Sequence, residues 1–124
     1  MKLLFKILLV LIVACSLACR KAPLFTVRDA PISPHAQSIS RVEEAIKRAG
    51  VSLGWQVRKI GPGVMEGVLF LRSHKAVVRI PHTRSSYSIE YVSSENLHYD
   101  GSRIHKNYNF WIQNLDRAIQ RELL

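Results

Sequence analysis

Cysteine is almost missing from this chain of 124 residues: there are two, Cys15 and Cys19, both at the end of its one long apolar run. A disulfide framework further along is therefore excluded, and so is a zinc site built on thiolates. Acidic residues are scarce as well, nine against 18 lysines and arginines, which leaves few paired carboxylates for acid-base work. None of the five histidines, His35, His74, His82, His98 and His105, stands at an H-E-x-x-H or similar metal spacing. No G-x-S-x-G elbow presents a nucleophilic serine, although Ser73 directly precedes His74 at a reversal. The stretch "GPGVMEG", Gly61 to Gly67, lacks the lysine and following helix of a phosphate-binding loop. Internal repeats and low-complexity segments are absent too. The expectation is a non-catalytic protein with no cofactor and no resident metal.

What is present begins with an address. Lys2 and Lys6 precede "ILLVLIVACSLAC", an uncharged run of 13 residues from Ile7 to Cys19, closed by Arg20 and Lys21. A basic start, a short apolar core and small residues are the parts of an export signal. The run falls well short of the roughly 20 residues that a helix needs to cross a bilayer. An alanine directly precedes each cysteine, and the segment resembles the lipobox of bacterial lipoproteins. That resemblance implies a diacylglyceryl group on the cysteine thiol, cleavage just before it, and acylation of the new amine. "IVAC" matches the usual preferences but leaves an apolar core of eight residues; "SLAC" is a looser match with a core of 12. Cys19 is the favoured lipid site, with Cys15 the alternative; an uncut signal anchor or a Cys15–Cys19 disulfide are the competing readings. The chain then divides into a signal peptide over 1–18, a lipidated start and proline-containing tether over 19–37, and one domain over 38–124. Arg20, a non-acidic residue after Cys19, points to the outer membrane, with the domain facing the periplasm.

Beyond Lys6 the chain holds 16 basic and nine acidic residues, a net charge of about +7, scattered and with no polybasic tail. Export removes nucleic acid from the expected partners. The anionic surfaces that remain are lipid head groups, wall polymers and envelope proteins, set against the plainer reading of a solvated basic surface.

Periodicity gives the fold. Ser40 and Glu43 have the spacing of a capping box, Val42, Ala45, Ile46 and Ala49 share a helical face, and Gly50 is placed to end the helix. Alternation from Trp55, the run "VMEGVLFLRS" from Val64, "AVVRI" over Ala76 to Ile80, and "SYSIEYVS" from Ser86 predict four strands. "LFTV", Leu24 to Val27, is a candidate edge strand. Tyr108, Trp111, Ile112, Leu115, Ala118, Ile119 and Leu123 form the stripe of a closing helix. The expected architecture is α+β, a two-layer sandwich: a four-stranded antiparallel meander with two helices on one face, in the order α-β-β-β-β-α. Trp55, Tyr87, Ile89, Tyr91, Trp111 and Leu115 are the expected core.

The densest cluster of polar and aromatic side chains is "IHKNYNFW", Ile104 to Trp111. One reading makes His98, His105, Asn107 and Asn109 a binding patch, with Asn107 turning or capping the helix entrance. The other makes Tyr108 and Trp111 core anchors, while His105 and the asparagines satisfy loop carbonyls near Asn96 and Tyr99. A sensor of ligand or metal built from His98, Asp100 and His105 is the alternative function. The lipobox, the Gly-Trp entry to the sheet, "LRSHKAVV" (Leu71 to Val78), "YSIEYVSSENLHYDG" (Tyr87 to Gly101) and "IHKNYNFWIQNL" (Ile104 to Leu115) together resemble a group of small uncharacterised lipoproteins of Gram-negative bacteria. The resemblance implies an envelope location and carries no activity with it.

Overall fold

The computed structural model describes residues 20–124; Cys15 and Cys19, and with them the signal-peptide and lipidation expectations, lie outside the described residues. Seven strands and two helices follow one another as β1 (Lys21–Pro23), β2 (Val27–Pro31), α1 (Ile39–Ser52), β3 (Gln56–Gly61), β4 (Val64–Leu71), β5 (His74–Pro81), β6 (Ser86–Glu95), β7 (Arg103–His105) and α2 (Lys106–Glu122), with a 3-10 turn at Pro34–Ala36. The class is α+β, as expected, but the sheet has five strands in the order β2-β6-β5-β4-β3, and β1 pairs with β7 in a separate two-stranded ribbon. All pairings are antiparallel.

The four meander strands β3 to β6 are the expected ones. The fifth comes from the segment assigned to a tether, so the expected division at residue 38 is corrected: the domain includes both β1 and β2. Val27 pairs with Ile89 and is 7% exposed, and Ile32 and Ala36 are buried as well. Alternation is hidden there because β2 is bulged. Its register shifts between Val27 and Ala30, Asp29 adopts a φ of 48°, and the Asp29 amide donates to the Ser88 hydroxyl at 3.0 Å.

Helix α1 starts two residues earlier than expected. Its cap is Ser38, whose hydroxyl accepts from the Arg41 amide, so Ser40 and Glu43 form no capping box. Gly50 does not end α1. It lies inside the helix, where a Cβ would come within 2.4 Å of a Val57 methyl on β3; the absence of a side chain lets helix and strand approach. Gly54, with a φ of 89°, makes the reversal instead.

One hydrophobic cluster joins Val42, Ala45, Ile46 and Ala49 of α1, the inward residues of the sheet (Met65, Leu69, Ala76, Val78, Ile80, Tyr87 and Ile89), and Ile112, Leu115, Ala118 and Ile119 of α2. Trp55, Tyr87, Ile89 and Leu115 are buried as expected; Tyr91 and Trp111 are only partly buried at its margin. On the outward side, cross-strand register sets Arg58 opposite Glu66, Glu66 opposite Arg79, and Arg79 opposite Glu90, a row of alternating charge over four strands. The first pair is bonded at 3.1 Å.

Candidate functional site

Strand reversal builds the site at one end of the sheet. The β4–β5 turn delivers His74, the loop after β6 delivers Asn96 and His98, and β7 delivers His105 at the mouth of α2. Asn96 and His98 both adopt left-handed backbone, with φ of 60° and 54°. Two positive φ values so close together curl the loop back over the β4–β5 turn. The loop is tied there by Asn96 Nδ2 donating to the Ser73 hydroxyl at 2.8 Å, and by His74 Nδ1 against the Asn96 carbonyl at 2.8 Å.

These residues, with Arg20 and Lys21, line a cavity of about 540 Å³. Hydrogen bonding fixes the imidazole tautomers. A carbonyl only accepts, so His74 Nδ1 carries a proton and donates to Asn96, which leaves Nε2 for a ligand. His105 caps α2: its Nδ1 accepts from the Asn107 amide at 3.1 Å, so in the neutral ring the proton sits on Nε2. The two rings are 6.3 Å apart, and the Trp111 ring lies 6.1 Å from His74.

The electrostatics are one-sided. Burial, followed by the nearby His74, His98, Arg20 and Lys106, lowers the pKa of His105, and each of these four neighbours carries or can acquire positive charge. Among the described residues no carboxylate lines the cavity. Asp100 is close in sequence but engaged elsewhere: its carboxylate accepts from Lys21 Nζ at 2.7 Å, from the Arg103 amide at 2.8 Å and from the Ser102 amide at 3.0 Å. Those bonds, the Lys21 ammonium first, hold its carboxyl well below the usual range. Among the described residues no group of three histidine, cysteine or acidic side chains is placed to hold a metal ion. The set His98, Asp100 and His105 is thus split, with both histidines in the cavity and Asp100 serving as the brace of its own loop.

The asparagines part company with the expected patch. Asn109 is buried; its Nδ2 donates to the Pro23 carbonyl at 2.8 Å and its Oδ1 accepts from the Phe25 amide at 2.9 Å. It satisfies backbone, as one reading held, but on the strand β1 side and not near Asn96 and Tyr99. Asn107 contributes its amide to the His105 cap and does not itself cap the helix. Tyr108 is fully buried against Tyr91, and burial pushes its hydroxyl pKa far above the usual phenol value. Sequence reasoning missed Arg20, Lys21, His74 and Asn96 as site residues. The available signal was topological, since in a meander the β4–β5 turn and the end of β6 share one edge of the sheet.

A second titratable contact lies away from the cavity. His82 is buried, its Nδ1 donates to the Ile80 carbonyl at 3.1 Å, and its Nε2 stands 3.9 Å from Glu43 of α1, which Lys59 Nζ also approaches at 3.1 Å.

Compared with family models, curated proteins and solved structures, the chain matches none.

Proposed function

We propose that the protein is a lipid-anchored module of the bacterial envelope, held in the outer membrane through Cys19, with Cys15 the alternative, that acts by non-catalytic binding at the His74–His98–His105 cavity. In this reading the two helices cover one face of the sheet as a two-layer sandwich, and the cavity lies at the end of the sandwich nearest the anchor. The observation that carries the reading is the position of Arg20. It lines the cavity, its carbonyl accepts from the Lys106 amide at 2.9 Å, and it directly follows Cys19. The cavity offers imidazoles and cations with no lining carboxylate to orient or activate them, an arrangement suited to holding a ligand rather than to triad or acid-base chemistry. The kinship with small lipoproteins of Gram-negative bacteria rests on the motifs quoted above and belongs to the same proposal.

Mass spectrometry of the amino-terminal peptide from native membranes tests the anchor. Acylated Cys19 is expected; an unmodified thiol, or a different start, sinks it. A photo-crosslinking residue at position 98 tests the binding role. Recovery of one reproducible envelope component is expected, and recovery of the same mixture as from a crosslinker at exposed Val51 on α1 would remove the cavity from the proposal.

A further inference from the structure

The path from the proposed anchor to the cavity is very short. Only Arg20 separates Cys19 from β1, and β1 is locked in register with β7: Lys21 opposite His105, Ala22 opposite Ile104, Pro23 opposite Arg103. Arg103 also donates to the Lys21 carbonyl at 2.9 Å. Two residue steps span at most about 7.6 Å. A bilayer has roughly 5 to 8 Å of head-group region on each side of its hydrocarbon core. A diacylglyceryl group on Cys19 has its glycerol at the base of that region. Arg20 and Lys21, the next two residues, both line the cavity, so on the Cys19 reading the cavity is held at about the depth of the lipid phosphates, with β1 tied to the body of the domain by β7.

The chemistry at that depth favours an anion. Arg20 and Lys21 line the cavity, and Lys106 lies close enough to act on His105; the Lys21 ammonium is matched by the Asp100 carboxylate at 2.7 Å, while Arg20 adds its charge to the lining. Among the imidazoles, neutral His105 carries an Nε2 hydrogen, since its Nδ1 accepts from the Asn107 amide. Guanidinium and imidazole N–H groups are the donors that phosphate oxygens accept best. A divalent cation meets the Arg20 charge instead, and the nearest carboxylate, Asp100, is engaged by Lys21 rather than lining the cavity. The positive end of α2, which opens at His105, adds to the same field.

We propose that the cavity clasps the phosphate of an anionic phospholipid head group in the leaflet that holds the Cys19 acyl chains, so that the bilayer of the anchor supplies the ligand. This rests on the reading of Cys19 as the lipid site. The consequence is a fixed orientation, with the His74–His98–His105 end against the membrane and the opposite end of the sheet directed into the periplasm.

The test uses the full acylated chain in nanodiscs of phosphatidylcholine alone, or with increasing phosphatidylglycerol, and follows the imidazole Cε1 proton resonances. His74, His98 and His105 should shift saturably with phosphatidylglycerol while buried His82 does not. In the double variant R20Q and H98N the shifts of the remaining His74 and His105 should fall at least threefold, with His82 unchanged as evidence of an intact fold; asparagine tolerates the left-handed backbone at position 98. Equal shifts in discs with and without phosphatidylglycerol would overturn the proposal. So would equal shifts on adding inorganic phosphate to neutral discs, which would make the ligand a free anion. Failure of the anchor reading shows separately, as a chain that does not enter the discs and carries no acyl mass; phosphatidylglycerol vesicles added to that soluble chain would then still report on the cavity.

Discussion

Asn109, in the first turn of α2, holds Pro23 and Phe25 by both ends of one side-chain amide, across more than 80 residues of sequence. This buried clamp joins the segment around β1 to α2. Replacing Asn109 with leucine leaves a carbonyl and an amide without partners, at about 1 to 3 kcal/mol each. Denaturant unfolding should show a loss of at least about 2 kcal/mol. Hydrogen exchange at the Phe25 amide should accelerate before that of the β4–β5 core; uniform acceleration would mean that the clamp is not local.

Gly50→Ala offers a test whose sign distinguishes two effects. Helix propensity alone predicts a gain of about 1 kcal/mol for alanine. The Val57 methyl, 2.4 Å from the added Cβ, belongs to a stiff β-branched side chain and predicts a loss of about 1 to 3 kcal/mol. Net destabilisation is expected, relieved when Val57→Ala is added. A stabilised single variant would refute the close approach of α1 to β3.

The two serines at the start of α1 separate cleanly. Ser38→Ala removes the bond to the Arg41 amide and should cost about 1 kcal/mol. Ser40→Ala, inside the helix, should be neutral or slightly stabilising. Urea midpoints of the two variants decide between them.

The Tyr87 hydroxyl donates to the Asp116 carboxylate at 2.5 Å, tying β6 to α2. Burial, then that carboxylate, pushes its pKa beyond the usual phenol range, so ultraviolet titration should show Tyr87 resisting ionisation up to alkaline unfolding. Tyr87→Phe should cost about 1.5 kcal/mol.

His105 sets a pH dependence on the acid side of neutrality. Its folded pKa is lowered from 6.5 by burial and by the neighbouring His74, His98, Arg20 and Lys106, so the imidazolium is disfavoured on folding. Its stabilising contribution is present above the unfolded pKa of 6.5 and is lost as pH falls through the lower folded value. The melting temperature should therefore fall between pH 7 and pH 5, and His105→Gln should shrink that fall. Asp100, also lowered, acts only below its unfolded value of 3.8 and leaves this window clear. An unchanged slope in the glutamine variant would assign the effect to other groups.

Strict alternation over Tyr87, Ile89 and Tyr91 and the stripe from Tyr108 to Leu123 made β6 and α2 visible in sequence, because both bury one regular face. The edge strand expected at Leu24 to Val27 lies instead at Val27–Pro31, sharing only Val27, since a bulge and a left-handed Asp29 break the alternation of β2 and prolines surround it. His98 and His105, seven residues apart and named together in the expected patch, do line one cavity. His74 was not legible, because its role depends on which strand ends share an edge, and Arg20 was passed over because it adjoins the segment expected to be a signal. Asn109 looked like a ligand-binding amide since a buried backbone clamp and an exposed donor have the same residue type; only burial separates them.

Among the described residues β2 and β3 are the edges of the five-stranded sheet, and their form has a consequence for crowding. β2 is short, kinked at Asp29 and closed by Pro31, while β3 presents Arg58 and Lys59. Neither edge is a flat, uncharged template on which another copy can add a strand. Molecules confined at high density to a plane, as an acyl anchor would confine them, can meet side by side repeatedly without zipping into a shared sheet.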